Sequence, residues 1–462
     1  MMREVNNLLK TEISDYLKNK DLKIFFVGVG GISMSAIAAA LISKNYKVGG
    51  SDIAEKPETL YLREIGAEIF VPHTAADIDG YGLIIYNARI TEQNPVMKRA
   101  RELNIPVIKR AQMLGALTGG YKKSIGVTGT HGKSTVTSMT SEIFMQAGTD
   151  PTFFIGAVYP PVNSAYQIGA DDYFILEADE AYDSFLNLQP DIAVITNIEM
   201  DHPDYFKDLD AMLGSYKKYL AGTSELAVIN ADDANSLDAS EDFGSRLTYA
   251  LKSPADIRAE NIKYINGFAE FDIYAHGEVY AHIKLSVPGD YNIYNALAAS
   301  SAAYACNIPG EAISRALNIF KGASRRFELK GEFNDIKIYE DYAHHPTEIK
   351  KLLEAVRKTV PSKIWCVFQP HTYSRTSEFE AELCEVLSAD YANIILTDIL
   401  PVPPTEININ NIRAEDIAKK AGCKFIPDFG GIAAYLKSNC SSGDIIILTG
   451  AGNINNITSL LI

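Results

Sequence analysis

The chain has 462 residues, 47% hydrophobic and 22% charged, with 58 acidic against 43 basic side chains and a formal net charge of −15. That balance excludes nonspecific nucleic-acid binding, which needs a basic face, so any polyanionic substrate must be held by local positive groups. The first twenty residues mix Arg3, Glu4, Lys10, Glu12, Asp15 and Lys18, and no apolar run nears the ~18 residues of a membrane helix, so neither a signal peptide nor membrane insertion is expected.

At about 150 residues per domain the length suggests roughly three domains. In the first, Lys23–Val27 reads as an apolar strand, followed by a glycine turn and an Ala-rich helix over Met34–Asn45. Tyr46–Gly50, Leu83–Tyr86 and Pro106–Lys109 read as further strands with helices between, an alternation that predicts a parallel sheet. A break falls at Thr118–Lys123. In the second, Ser124–Val127 is a strand that leads through a glycine loop into a helix over Ser134–Ala147. Tyr173–Glu177, Ile192–Thr196 and Leu226–Asn230 are apolar strands ending in polar residues. Residues 256 to 287 alternate as a β-meander, and an Ala-rich helix starts at Asn292. A second break lies near Lys321–Arg326, after which Ile364–Phe368, Ala392–Thr397 and Asp444–Leu448 are buried-strand candidates. Pro401-Val-Pro-Pro404 is a stiff loop, and a last glycine turn, Thr449–Gly452, precedes a short helix. The expected domains are residues 1–118, 119–322 and 323–462. Five scattered cysteines, odd in number and without CxxC spacing, fit a reducing cytoplasm with no disulfide frame and no zinc site.

The run Val127-Thr-Gly-Thr-His-Gly-Lys-Ser-Thr135 points to a nucleoside triphosphate. Between a strand and a helix, its backbone N–H groups lie at a helix N-terminus, where they can hold phosphate oxygens. Lys133 would reach the β- and γ-phosphates, and Ser134 or Thr135 would face Mg²⁺. The spacing G-x-x-x-x-G-K-[ST] fails, because the position five before Gly132 is Val127, so the loop is a tighter variant. Gly28-Val-Gly30-Gly31-Ile-Ser33 nears the dinucleotide fingerprint G-x-G-x-x-G, with Ser33 in the third glycine's place and Asp52 near the distance expected of a ribose contact. The diphosphate held there could belong to NAD or to a UDP-sugar.

Glu177-Ala-Asp-Glu180 and Glu199-Met-Asp-His202 follow strands in the phosphate-loop domain, and such carboxylates with an imidazole suit a Mg²⁺ shell. In the last domain, Asp341-Tyr-Ala-His-His-Pro346 and Gln369-Pro-His-Thr-Tyr-Ser-Arg-Thr376 gather imidazoles and a guanidinium at strand ends, and Arg325-Arg326 stands at the break. Those groups suit carboxylate and phosphate.

In this order the chain resembles the ATP-dependent Mur ligases of peptidoglycan synthesis, from about residue 22 onward. The resemblance rests on Gly28–Ser35, Arg110-Ala-Gln-Met-Leu114, Gly129–Ser134, Glu177–Glu180, Asn197-Ile-Glu-Met-Asp-His202, Arg325-Arg-Phe327, Asp341-Tyr-Ala-His-His-Pro-Thr-Glu348 and Gln369–Thr376. It implies an α/β fold in three domains: a Rossmann-like N-terminal domain, a central P-loop ATPase-type domain and a Rossmann-like C-terminal domain. It also implies a cytoplasmic ligase, monomer or homodimer, with ATP and Mg²⁺ as cofactors and UDP-N-acetylmuramate and L-alanine as partners. By this resemblance Gly28, Gly30, Gly31, Ser33, Met34, Ser35, Asp52, His73 and Arg110 would hold the UDP-sugar. Gly129, Thr130, His131, Gly132, Lys133, Ser134 and Thr135 would hold ATP phosphates, with Asn292, Asn295, Arg326 and Asp341 on the adenine, phosphate or ribose. Ser134, Glu177 and His202 would bind Mg²⁺. Tyr342, His344, His345, His371 and Arg375 would face the amino acid and the sugar's lactoyl group.

Several positions depart from the family's patterns. Tyr291 replaces the usual histidine of V-P-G-x-H-N-x-x-N-A and leaves both asparagines in place. Ala181–Phe185, Asn87–Ile90 and Leu400–Glu406 also differ from common versions of those loops. The implied chemistry runs through an acyl phosphate, with Lys133, Arg326 and Mg²⁺ offsetting charge on the transferred phosphoryl group and His344 or His371 as the base that frees the amine. Rival readings are a ligase adding a preformed peptide to the same sugar, an NAD-dependent oxidoreductase fused to a P-loop module, and a nonenzymatic nucleotide switch.

Overall fold

The computed structural model describes residues 10–87, 90–402 and 406–462. Arg3 and Glu4, Ala88 and Arg89 of the Asn87–Ile90 loop, and Pro403, Pro404 and Thr405 of the Pro-rich loop lie outside the described residues. The chain divides into two compact units. The first takes the residues up to Thr128 with Gly148–Val194 and Ser215–Ala227, and the second takes Gly129–Ala147, Ile195–Gly214 and Val228–Ile462.

In the first unit, β1 (Lys23–Val27), β2 (Lys47–Ser51), β3 (Glu68–Phe70), β4 (Leu83–Tyr86) and β5 (Val107–Lys109) form a parallel sheet in the order β3-β2-β1-β4-β5. Four of the five residues of β1 and of β2 are buried, and the helix Ile32–Ser43 is buried continuously from Met34 to Leu41. Such all-round burial is what a parallel sheet covered by helices imposes. The order reverses between β1 and β4, so the crevice beyond the carboxyl end of β1 is where such sheets take ligands, and the Gly28–Ser33 turn sits there. The same unit carries β6 (Lys123–Thr128), β7 (Pro151–Tyr159), β8 (Ser164–Gln167) and β9 (Ala170–Glu177). There β9 lies parallel between β6 and β7, and β8 pairs antiparallel with β7. The chain crosses between units within β10 (Ile192–Ile195) and β11 (Leu226–Asn230).

In the second unit, β12 (Arg246–Ala250) leads to β13 (Ile257–Ile265), β14 (Phe268–Ala275) and β15 (Glu278–Lys284), and the last three form the expected antiparallel meander. The helix Asp290–Ala305 packs on the helix Lys133–Gln146 that follows the phosphate loop. The remaining sheet joins β16 (Glu328–Phe333), β17 (Ile336–Asp341), β18 (Ile364–Phe368), β19 (Asn393–Leu396), β20 (Lys424–Phe425) and β21 (Ile445–Thr449). Its order is β16-β17-β21-β18-β19-β20, parallel except for β16. Strand β18 shows why it is buried on both faces: Ile364, Cys366 and Phe368 enter one apolar cluster, while Trp365 and Val367 enter the other. Among the described residues none of the five cysteines is joined to another by a disulfide bond.

Candidate functional site

In the second unit, Gly129 (φ +133) and Gly132 (φ +85) have backbone conformations that L side chains rarely adopt, and both are tightly enclosed. A Cβ on Gly129 would lie 2.0 Å from Thr196 Oγ1, and one on Gly132 2.6 Å from Asn295 Oδ1. The loop is pinned from below by the segment after β10. Thr130 N–H donates to the Asn197 carbonyl (2.9 Å), His131 N–H to Asn197 Oδ1 (3.0 Å), and Thr196 Oγ1 and Asn197 Nδ2 both donate to the His131 carbonyl. The N-terminal amides of the helix Lys133–Gln146 are thereby presented in a fixed cradle. Lys133 Nζ donates to the carbonyls of Gly129 (2.7 Å) and Thr130 (3.3 Å), which keeps its ammonium over the loop. Ser134 is 3% exposed, Thr135 9%, and Arg326 Nη2 donates to Ser134 Oγ at 3.4 Å.

His131 turns its ring onto two carboxylates: Nε2 is 2.9 Å from Glu199 and Nδ1 3.1 Å from Glu348. Burial alone would lower its pKa, but the hydrogen bonds and charges of Glu199 and Glu348 outweigh it and raise it to about 9, so the ring is an imidazolium at neutral pH. The two carboxylates are held below their ordinary range by the same pairing, against the opposing effect of their own burial. Glu348 Oε2 also accepts the His344 (3.1 Å) and His345 (3.3 Å) amides, and Thr347 Oγ1 donates to Glu199 Oε1 (2.6 Å). This is a capping box at the helix Pro346–Lys358, with His345 at the N-cap, Pro346 opening the helix and Glu348 reaching back.

A cavity of about 360 Å³ opens beside the loop, lined by His131, Gly132 and Thr135, by Asn292 and Asn295, and by Arg326, Asp341 and Glu348, among others. Asn295 Nδ2 donates to Asn292 Oδ1 (3.0 Å), and Asn292 Nδ2 to the Pro288 carbonyl (2.7 Å). Tyr249, Tyr291, Tyr294 and Phe320 supply an aromatic wall, so the departure at Tyr291 leaves an aromatic ring on the cavity. Burial pushes the Tyr291 phenol well above its usual range. Asp232, also on the wall, accepts the Leu251, Lys252 and Ser253 amides and the Tyr294 hydroxyl. Burial would raise it, but those donors bring it to about 2. Asp341 accepts the Phe327 (2.8 Å) and Ala343 (2.7 Å) amides, yet burial dominates and raises it to about 6 despite nearby Arg326. Both Arg325 and Arg326 lie over the Tyr342 ring, 5.0 and 5.1 Å from its centre.

Arg375 presents Nε (3.1 Å) and Nη2 (2.8 Å) to a single oxygen of Asp201, and both side chains are largely buried. That guanidinium, expected to face an amino-acid carboxylate, thus already holds a protein carboxylate. Asp201 is kept well below its usual range; burial opposes this, and Arg375 is the strongest of the charges that outweigh it. His202, with φ +53, donates its amide to Asp201 (2.7 Å). Burial lowers His344 to about 4 and also lowers His371 and His345. His344 Nδ1 lies 3.0 Å from the Tyr342 carbonyl, which assigns the proton to Nδ1 and the lone pair to Nε2. Its ring centre is 6.3 Å from that of His371, whose buried Nδ1 has no hydrogen-bond partner among the described residues.

In the first unit, the glycine turn leaves β1 at Gly28 (φ +79), and Gly31 precedes the helix Ile32–Ser43. Gly30 N–H donates to Asp52 Oδ2 (2.9 Å), and Asp52 Oδ1 takes the Ile53 amide (2.8 Å) and the Lys56 ammonium (3.0 Å). Burial would raise Asp52, but these donors hold it below its ordinary value. Its oxygens therefore brace the turn from beneath. Arg110 Nη1 donates to Ser33 Oγ (2.8 Å), and burial lowers the Arg110 pKa. Ser35 and Met34 are buried, and His73 Nδ1 lies 2.7 Å from Ser51 Oγ. Burial also lowers His73, with Asp52 and Asp77 opposing it. Glu177, at the end of β9, accepts the Gly156 amide (3.0 Å), and a Cβ on Gly156 would fall within 2.8 Å of that carboxylate.

Among the described residues, no helix is long and apolar enough to cross a membrane. Motif spacing alone gives Glu348, Asn197 and Asp232 no chemical role of their own, and it marks Glu199 and Asp201 only as carboxylates of a candidate Mg²⁺ shell, whereas here they hold His131 and Arg375. The spacing His345-Pro346-Thr347-Glu348 carried a signal for Glu348, because Pro at the first helical position and Glu at the third mark a capped helix start.

Three family models match in succession: the Mur ligase family catalytic domain over residues 23–122, the Mur ligase middle domain over 127–303 and the Mur ligase glutamate ligase domain over 325–452. The chain belongs to the Mur ligase family. A UDP-N-acetylmuramate–L-alanine ligase of Caldicellulosiruptor bescii is 41% identical over 95% of this chain and 98% of its own length. The enzyme of that name from Clostridium tetani is 41% identical over 94% and 96%. Among solved structures, the UDP-N-acetylmuramate–alanine ligase MurC of Thermotoga maritima superposes with a TM-score of 0.77 at 27% identity, covering 95% of this chain and 98% of that one. A murein peptide ligase of Psychrobacter arcticus shares the fold, with a TM-score of 0.70 at 23% identity over 95% and 98%. The α/β fold in three domains expected from the sequence is thus the fold of this Mur ligase.

Proposed function

We propose that this Mur ligase joins L-alanine to the lactoyl carboxylate of UDP-N-acetylmuramate at the expense of ATP, in the cytoplasm, as a step of peptidoglycan precursor synthesis. The observation that carries the chemistry is the joining of the phosphate loop to the Asp341–Glu348 turn around one cavity, with His131 and Glu348 3.1 Å apart. The assigned domains are 1–118 for the UDP-sugar, 119–322 for ATP and Mg²⁺, and 323–462 for the amino acid, in a monomer or homodimer.

A carboxylate resists attack by an amine because the attack builds charge on an anion. Transfer of the γ-phosphoryl group to a lactoyl oxygen, with ADP leaving, removes that obstacle and creates an acyl phosphate. Lys133 and Arg326 offset charge on the phosphoryl group, and the loop amides orient it. The amine then attacks the acyl carbon, phosphate leaves and the amide forms. His344 and His371, kept neutral by burial, each carry a lone pair at neutral pH to take the amine's proton. For Mg²⁺, Ser134 and His202 of the second unit offer an oxygen and an imidazole nitrogen, and Glu177 of the first unit offers a carboxylate, donors that suit a hard cation. A Mg²⁺ ion held by such donors would supply charge neutralisation on the transferring phosphate. The test is phosphate release from ATP with UDP-N-acetylmuramate, across amino acids and preformed peptides, with Mg²⁺ titrated. Release with peptides and not with L-alanine would reassign the acceptor.

A further inference from the structure

Glu348 ties several chemistry-bearing groups together. One oxygen meets His131 Nδ1 of the phosphate loop (3.1 Å), and the other accepts the amides of His344 and His345 (3.1 and 3.3 Å). It also lines the cavity beside Asp341 and Arg326. His131 and Glu348 are 217 positions apart in the chain, so no local element requires this contact. On its other side His131 meets Glu199, whose second oxygen takes the Thr347 hydroxyl (2.6 Å), so the loop is fastened to the turn twice. The groups facing the His131 ring are Glu199 from the segment after β10, Glu348 from the helix start, and the His345 ring at 5.0 Å. Among these only Glu348 also sets the backbone of both histidines of the turn.

We propose that Glu348 is a positioning residue that locks the phosphate loop to the histidine turn through His131, so that one carboxylate sets the geometry of both the phosphoryl-transfer end and the amine-activating end of the site. The inference rests on the ligase reading for what those two ends do, but the lock itself is made only of this chain's own side chains. Its logic is a balance of charge. An imidazolium between two carboxylates stays fixed because withdrawing it would leave buried negative charge uncompensated. A neutral or absent partner at either position frees the loop to turn independently of the histidines.

The test compares Glu348→Gln, His131→Ala and the double variant in the full chain. Glutamine keeps an oxygen for the two amides and sets an NH2 where His131 Nδ1 now meets an oxygen, so that both the charge and the acceptor toward His131 are lost. Labelled-histidine NMR on the ligand-free protein should find His131 titrating near the expected 9, and one unit or more lower in Glu348→Gln. Under turnover, Glu348→Gln should lower kcat about ten- to a hundredfold, as for loss of a charge-assisted bond, with KM for the UDP-sugar within twofold of native. His131→Ala leaves the helix cap intact and should reproduce that loss, and adding Glu348→Gln to it should cost less than threefold more. An unmoved His131 titration, a native kcat in His131→Ala, or equal and multiplying losses in the two backgrounds would overturn the lock and leave Glu348 a helix cap. Absence of turnover in the native protein would instead overturn the ligase reading, while the titration would still decide the lock.

Discussion

Replacing Gly132 by alanine tests whether the phosphate cradle has the tightness described. The residue has φ +85, and its Cβ would lie 2.6 Å from Asn295 Oδ1. Holding alanine in the left-handed region costs about 1–2 kcal/mol. Moving Asn295 aside breaks its bond to Asn292, for about 1 kcal/mol more. The total, about 2–3 kcal/mol, must appear either as lost stability with the loop unchanged or as lost ATP affinity with the loop displaced. If displacement takes all of it, the affinity falls about thirty- to 150-fold. Gly148→Ala is the control, because Gly148 has φ +76 and nothing within 4 Å of its Cβ. It should cost only the backbone strain and leave ATP binding unchanged. Calorimetric titration with ATP and thermal unfolding of both variants read the two quantities. ATP affinity and melting temperature both native in Gly132→Ala, or equal ATP losses in the two variants, would refute the steric argument.

Removing either partner of the buried Arg375–Asp201 pair should cost about 3–5 kcal/mol, while Arg375→Met with Asp201→Asn should cost clearly less than the sum. A double-mutant cycle by urea unfolding checks this, and additive losses would contradict it. His344, held to about 4 in the folded chain against 6.5 unfolded, binds its proton more weakly when folded. Its contribution to stability is therefore lost as pH falls from about 6.5 to about 4, by roughly 3 kcal/mol, and His344→Gln should flatten that part of the stability curve. Lys133→Ala should abolish phosphate release and leave UDP-sugar binding nearly intact, as calorimetry with each ligand would register; equal loss of both ligands would undo the domain assignment.

What the sequence revealed was mainly local. The loop Gly129–Thr135 announced itself by glycines, lysine and hydroxyls at fixed offsets between a strand and a helix, and the meander over residues 256 to 287 by its alternation. Short edge strands escaped because three or four polar-flanked residues give no period, as with β3 (Glu68–Phe70) and β8 (Ser164–Gln167). Element ends drifted by a residue or two, as at β2, which runs over Lys47–Ser51 where Tyr46–Gly50 was expected. The pairings of the site were illegible for another reason. Arg375 finds Asp201 across 174 positions, and no spacing rule links residues joined only by the folded chain. Asp52 illustrates the opposite case: its position after β2 was legible, but its role bracing Gly30 and binding Lys56 emerged only from the hydrogen bonds.

Whether this chain joins L-alanine to UDP-N-acetylmuramate is read out by mass spectrometry of the product. Purified chain, ATP, Mg²⁺, UDP-N-acetylmuramate and isotopically labelled L-alanine should give a sugar nucleotide carrying one labelled alanyl group, with one ADP and one phosphate per product. ATP hydrolysis without that product, or a product formed only from a preformed peptide, would contradict that activity.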